Sequence, residues 1–288
     1  MQSFFKKLPR YSLRLLLAYL VYIFTGGVLA YLLPRQARNL PQTDSFYGIG
    51  RGPDRAVLVE EPQDAFARRV EVIRTAQSTL DVCYHCVKSG ETTECFFAEL
   101  LRAADRGVRV RVLLDGTVGG LSGARSNIAL ALRAHPNIEY RIYNPVDLLR
   151  PWEWNALLHD KFILADDRML LLGGRNIGDE YFAPPGYEGA VTYDRDVLVL
   201  NDLAGTPDSS ESVTAQAKIY MDTLWDAPET DKFGTLSPSR RADGLAAQEY
   251  LKETAARWEA AAPSFYLPSE PASQCAVPTQ RVTLLHNP

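Results

Sequence analysis

Apolar and polar positions divide the 288-residue chain into one long apolar run and a series of short alternating segments. Residues 12–33 are apolar except for Arg14, Thr25, Gly26 and Gly27, and 22 such residues are long enough to cross a bilayer as a helix. Tyr19, Tyr22 and Tyr31 lie within or near its ends, and Pro34 stops it. The run is long for a signal-peptide core and no clean small-x-small site follows, so the pattern predicts an uncleaved single-pass anchor over residues 1–34. Lys6, Lys7, Arg10 and Arg14 stand against Arg35 and Arg38 beyond it. That bias puts the N-terminus in the cytoplasm and the body on the outer, periplasmic side of an inner membrane.

Residues 35–60 read as a polar linker ending in a short strand at 56–59. A helix over 62–78 has Pro in its first turn and Phe66, Val70, Ile73 and Gln77 along one stripe. Strands are predicted at 80–87, 108–114, 138–143, 159–165, 169–172 and 193–200. Helices are predicted at 93–106, stopped by Gly107, and at 126–134, 212–225 and 244–262. Strand–helix alternation at this spacing indicates an α/β fold, a layered sheet flanked by helices, over residues 61–226. Residues 227–288 read as a linker and helical tail.

The chemistry gathers at 158–176. On a strand over 159–165, His159, Lys161 and Ile163 point one way while Asp160, Phe162 and Leu164 point the other. Asp166-Asp167 forms a turn, and Gly173-Gly174 lets backbone approach whatever His159 and Lys161 contact. Asn176 then supplies an amide. A nucleophilic imidazole, a fixed cation and an amide donor suit a phosphoryl group, and the segment offers no carboxylate set to hold a metal. No cofactor is called for. A carboxylate on strand 193–200 could accept a proton from the second nitrogen of His159 and fix its tautomer.

The pattern His159-x-Lys161-x4-Asp166-x6-Gly173-Gly174-x-Asn176, within 155–182, resembles the signature of the phospholipase D superfamily. The runs at 106–115, 135–145 and 173–182 resemble, more narrowly, the N-terminal half of bacterial cardiolipin synthases. The resemblance implies a phospholipase D-like fold and phosphatidyl transfer through a phosphohistidine on His159. Lys161, Gly174 and Asn176 would bind the phosphate and Asp166 would hold the turn. Superfamily members place an acidic residue just before the apolar run of 193–200, which makes Asp194 the better match for the carboxylate beside His159 and Asp196 the alternative. Phospholipids and the membrane are the implied partners.

One departure matters. Family enzymes carry two such signatures whose histidines face each other, one attacking phosphorus and the other protonating the leaving alcohol. Of His85, His135, His159 and His286, only His159 has the spacing, and the chain stops near where a second half is expected to begin. Three readings stay open: a split enzyme needing a separate half, a homodimer, or an inactive phospholipid-binding membrane protein. Hydrolysis, with water as acceptor, is the alternative chemistry.

Charge and cysteines change the picture little. Beyond residue 34 the chain has 27 basic against 35 acidic residues, a poor footprint for nucleic acid. Cys83 and Cys86 form a C-x-x-C inside a strand, which suits neither zinc nor a redox pair, so ordinary core or loop cysteines are expected. A Cys86–Cys95 disulfide is the next reading. His85 shares a face with Cys83 and can line the pocket. The loop 146–154, with its leucines and tryptophans, is either a lipid-facing rim or a loop packed on the core.

Overall fold

The computed structural model describes residues 10–32 and 47–286, so Lys6, Lys7, Arg35, Arg38 and the linker stretch 35–46 lie outside the described residues. Among the described residues nine strands build one sheet: β1 (Asp54–Val59), β2 (Thr79–Tyr84), β3 (Arg109–Asp115), β4 (Ile138–Tyr143), β5 (Lys161–Ala165), β6 (Met169–Gly173), β7 (Asp196–Asn201), β8 (Thr230–Lys232) and β9 (Val277–Pro278). Their order is β8-β4-β3-β2-β5-β6-β7-β1-β9. β2, β3 and β4 are parallel, and β5 runs antiparallel to β2. The start of β5 therefore lies at the carboxyl end of β2, where open α/β sheets form their clefts.

The predicted alternation decides what each face carries. Val82, Val112, Ile163 and Leu171 join Phe66, Val70 and Ile73 of helix α2 (Pro62–Thr75) and the apolar side of α3 (Glu91–Asp105) in the larger core. Phe162, Leu164, Leu113 and Val199 meet Ala217, Met221 and Trp225 of a later helix (Val213–Trp225) on the other face. Gly107 ends α3 at φ +95°, the left-handed geometry a C′ glycine tolerates. Gln77, placed on the α2 stripe from sequence, lies beyond the helix end at Thr75.

Residues 227–286 differ from a linker and tail. β8 extends the sheet beside β4, and Leu251, Ala255, Phe265 and Tyr266 are buried in the larger core. Strands of three and two residues carry no readable period, which is why β8 and β9 escape the pattern.

The first helix, α1 (Arg10–Leu32), is long and apolar enough to cross a membrane, and its 11–28 stretch is unburied. Tyr19 donates its hydroxyl to the Leu148 carbonyl at 2.9 Å, and the Tyr22 ring meets Trp152 edge-on at 6.2 Å. The loop 146–154 thus packs on α1, not on either core, while Val146, Leu148 and Leu149 stay exposed.

Asp166 sits at the end of β5 remote from His159, at φ +51°. Its carboxylate accepts backbone N–H groups of Gln77, Ser78 and Thr79, each at 2.9 Å, and so ties the β5 turn to the start of β2. Asp166→Ala strands three donors and puts a Cβ residue without a local acceptor into left-handed backbone. Thermal and urea unfolding should register a loss of about 2–3 kcal/mol; an unchanged midpoint would contradict this tie.

Candidate active site

Lys161 opens β5 opposite Tyr84, so its stem is buried and its ammonium emerges at the sheet edge beside His159. Its Nζ donates to the His159 carbonyl at 2.7 Å and lies 3.0 Å from Nδ1 and 3.3 Å from Nε2 of the imidazole. Burial, only partly offset by Asp160 and Asp194, holds the Lys161 ammonium below its ordinary pKa. His159 itself is largely exposed. Partial burial, then the charges of Lys161 and His85, push its pKa below 6.5, so the neutral, nucleophilic ring prevails at neutral pH.

His85, the residue after β2, lies against His159 with ring centroids 4.5 Å apart. Its Nδ1–H donates to the Leu158 carbonyl at 2.8 Å. These contacts place it against the imidazole and give it a measurable role. The acid limb of kcat/KM should fall below 6.5, with activity lost as pH drops through the lowered His159 value. His85→Gln removes one of the depressing groups, so the limb should move up in a pH–rate profile. A limb that stays put or moves down contradicts the contact's electrostatic effect.

Asn176 is held at both ends of its amide. Oδ1 accepts the Cys86 N–H at 3.0 Å and Nδ2 donates to the Tyr181 hydroxyl at 3.2 Å, leaving one amide hydrogen for another acceptor. The same join is closed by Lys88 N–H to the Ile177 carbonyl at 2.8 Å, so the segment after Gly174 is stitched to the end of β2. Gly174 lies against the Asp194 carboxylate, and a Cβ there would push that exposed side chain aside.

The two candidate aspartates separate cleanly. Asp194 is exposed beside Gly174, within electrostatic reach of Lys161, and accepts the Arg195 N–H at 2.8 Å. The bond from His159 to Asp194 expected from sequence is not among its contacts. Asp196 is buried, and its Oδ2 sits 3.0 Å from both Arg69 and Arg175. That engagement removes the alternative: Asp196 serves the core and does not reach the imidazole.

Sequence reasoning passed over three supports. Asp115, fully buried at the end of β3, accepts Thr117 N–H and Val118 N–H with one oxygen and Leu158 N–H, at 2.9 Å, with the other. It thereby fixes the residue before His159. An aspartate after an apolar strand was the available signal. Asp179 caps α3 through the Thr92 N–H at 2.9 Å, and Asp160 accepts the Tyr220 hydroxyl at 2.8 Å. Arg175, which is buried, and the helix-capping Asp179 show that much of the G-G-R-N-I-G-D run is structural.

All four thiols are free, with Cys83 and Cys95 buried, so the Cys86–Cys95 disulfide is not formed. Among the described residues no group of three His, Cys, Asp or Glu side chains converges as a metal site. A cleft of about 710 Å³ beside His159 and Asp160 is walled by Tyr143, Tyr220, Leu224 and His286. An imidazole nucleophile, a cation, an oriented amide and an adjacent cleft can act on a phosphorus centre.

Residues 70–199 match the family model described as cardiolipin synthase, PLD-like domain. Cardiolipin synthase C of Escherichia coli (strain K12) is 39% identical over 152 residues, covering 49% of this chain and 31% of that protein. A Helicobacter pylori (strain ATCC 700392 / 26695) protein described as uncharacterized is 39% identical over 138 residues, 44% of this chain and 27% of its own. The matched region spans less than a third of the length of these two relatives. Among solved structures, NucT from Helicobacter pylori superposes with a TM-score of 0.48 at 15% identity, over 62% of this chain and 99% of that one.

Proposed function

We infer, from a chain whose residues 70–199 match the family model described as cardiolipin synthase, PLD-like domain, that it transfers a phosphatidyl group through a covalent histidine intermediate. The observation that carries the reading is the His159 ring held beside the Lys161 ammonium and kept toward its neutral form, with the Asn176 amide fixed separately against the end of β2.

In the first step an imidazole nitrogen of His159 attacks phosphorus, and the bond to the head-group oxygen breaks. The departing alcohol takes a proton from a general acid, leaving phosphatidyl-histidine. In the second step the head-group hydroxyl of phosphatidylglycerol attacks, gives up its proton to the same group now acting as base, and releases His159. Lys161 and the spare amide hydrogen of Asn176 carry the charge on the non-bridging oxygens. Asp194 steadies Lys161 from beside Gly174.

The general acid is the part this signature lacks. His85 cannot be it, because rings already in contact with centroids 4.5 Å apart leave no room for phosphorus between attacking and leaving atoms. A second histidine from a partner half or a second copy meets the requirement. Helix Arg10–Leu32 supports a single-pass anchor in the inner membrane, suited to a phospholipid substrate, and the sequence bias of Lys6, Lys7, Arg10 and Arg14 over Arg35 and Arg38 favours the periplasmic side for the body.

The test is turnover of labelled phosphatidylglycerol by the detergent-solubilised chain, alone and mixed with a C-terminal phospholipase D-like half. Cardiolipin from either sample supports the transferase. Phosphatidic acid, undiminished by added acceptor alcohol, makes the protein a hydrolase. No product under any pairing leaves a lipid-binding protein and ends the catalytic reading.

A further inference from the structure

A second cleft is lined by residues 86–89, the segment whose Cys86 N–H holds Asn176. Its volume is about 850 Å³, and its walls come from the loops following β2 and β3 and from helix α4 (Ser126–Ala134), closed by Phe233 and Arg240. Cys86, whose N–H binds Asn176, is one of its lining residues, so it adjoins the candidate phosphate site.

Its charge is one-sided. Lys88, Arg125, Arg133 and Arg240 line it, and no carboxylate does among the described residues. Lys88 is taken by Glu180, but none of the three arginines forms an ion pair among the described residues. Arg133 donates to the Gly234 carbonyl at 2.8 Å and lies over the Phe233 ring at 4.8 Å, contacts that orient a guanidinium without neutralising it. Burial and the nearby Arg240 hold Arg133 below its ordinary pKa, the mark of a cation with no counter-charge. Elsewhere the same protein pairs its partly buried arginines with carboxylates, as at Arg74–Glu99 and Arg111–Asp81. Beside the arginines stand Val118, Leu121, Leu130, Ile142 and Phe233, with Val118 and Phe233 exposed.

We propose that this cleft binds the phosphodiester of an anionic phospholipid, its arginines taking the phosphate and its apolar wall the first part of the acyl or glycerol chain. The three guanidiniums supply the donors that phosphate oxygens accept. The apolar wall favours a lipid over a free anion. The cleft's part in turnover, as the seat of the second lipid, rests on the transferase reading; the binding itself does not.

The experiment is calorimetric titration of the full chain in non-ionic detergent with dihexanoyl-phosphatidylglycerol, dihexanoyl-phosphatidylcholine, glycerophosphoglycerol and inorganic phosphate. Arg125→Gln, Arg240→Gln and Arg133→Gln should each weaken phosphatidylglycerol binding about tenfold, while Lys161→Ala leaves this binding event in place. Arg240 is exposed, so its variant stays informative if a more buried one fails to fold. Phosphatidylcholine and both soluble anions should bind more weakly than phosphatidylglycerol. Arginine variants that bind like wild type, with binding lost only in Lys161→Ala, would overturn the site. Inorganic phosphate binding as tightly as the lipid would overturn its assignment to lipid. Cleft binding in a protein that yields no transfer product under any pairing would sink the transferase and spare the cleft. Turnover with arginine-insensitive binding would do the reverse.

Discussion

Replacing His159 by alanine should lower phosphatidyl turnover at least ~1,000-fold, in whichever assembly is active, while leaving the unfolding midpoint unchanged. The side chain is exposed and its polar contacts are confined to Lys161, so the core loses nothing with it. The chemistry loses its nucleophile. The imidazole is neutral because partial burial and the Lys161 charge oppose its protonation, and only the neutral ring has a lone pair to offer phosphorus. Lys161→Ala should also cost activity, but as loss of charge stabilisation, and some turnover should remain. Steady-state rates on labelled phosphatidylglycerol, read beside a denaturation curve, separate these effects. A His159→Ala protein that turns over at more than a few per cent of wild type would remove the residue from the mechanism.

The second large effect concerns stability. Asp196→Ala should cost about 3–5 kcal/mol, because it leaves two buried guanidiniums without a counter-charge. Arg69 and Arg175 are 1% and 0% exposed and share the same carboxylate oxygen at 3.0 Å. Burial opposes the charge on Arg69, but Asp196, with help from Tyr84, outweighs it and raises the pKa above the ordinary value. Arg69 also donates to the Ala65 carbonyl at 2.8 Å and lies over the Phe182 ring at 4.8 Å, and Arg175 reaches the Val59 carbonyl at 3.1 Å. The carboxylate therefore joins α2, β1, β7 and the run after Gly174. Asp194→Asn should behave oppositely, with little change in stability and slower turnover, since Asp194 is exposed and acts on Lys161. Urea unfolding of both variants decides this; equal destabilisation, or none, would contradict the division of roles.

That division marks where the sequence stops being readable. The period-two pattern of 160–164 correctly separates Phe162 and Leu164 from Ile163, because a sheet buried on both faces requires it. Helix Ser126–Ala134 and strand Ile138–Tyr143 fall where turn and apolar signals bracket them. Asp194 and Asp196 are harder: they precede the same apolar run with the same side-chain parity. Their fates differ because Arg69, 127 residues before Asp196, lies under one of them, and no local pattern records that. His85 and Asp115 reach the site through strand order, since β2 lies between β3 and β5. The cleft arginines are likewise gathered from α4, its preceding loop and a helix more than a hundred residues later.

The central claim, that His159 carries the phosphatidyl group, is tested most directly by alkaline quenching during turnover and mass analysis of the peptide containing Leu158 to Lys161. The account predicts a phosphatidyl adduct on His159 that disappears when acceptor lipid is added and is absent from His159→Ala. Sustained turnover with no adduct on this peptide, or an adduct on another residue, would contradict it.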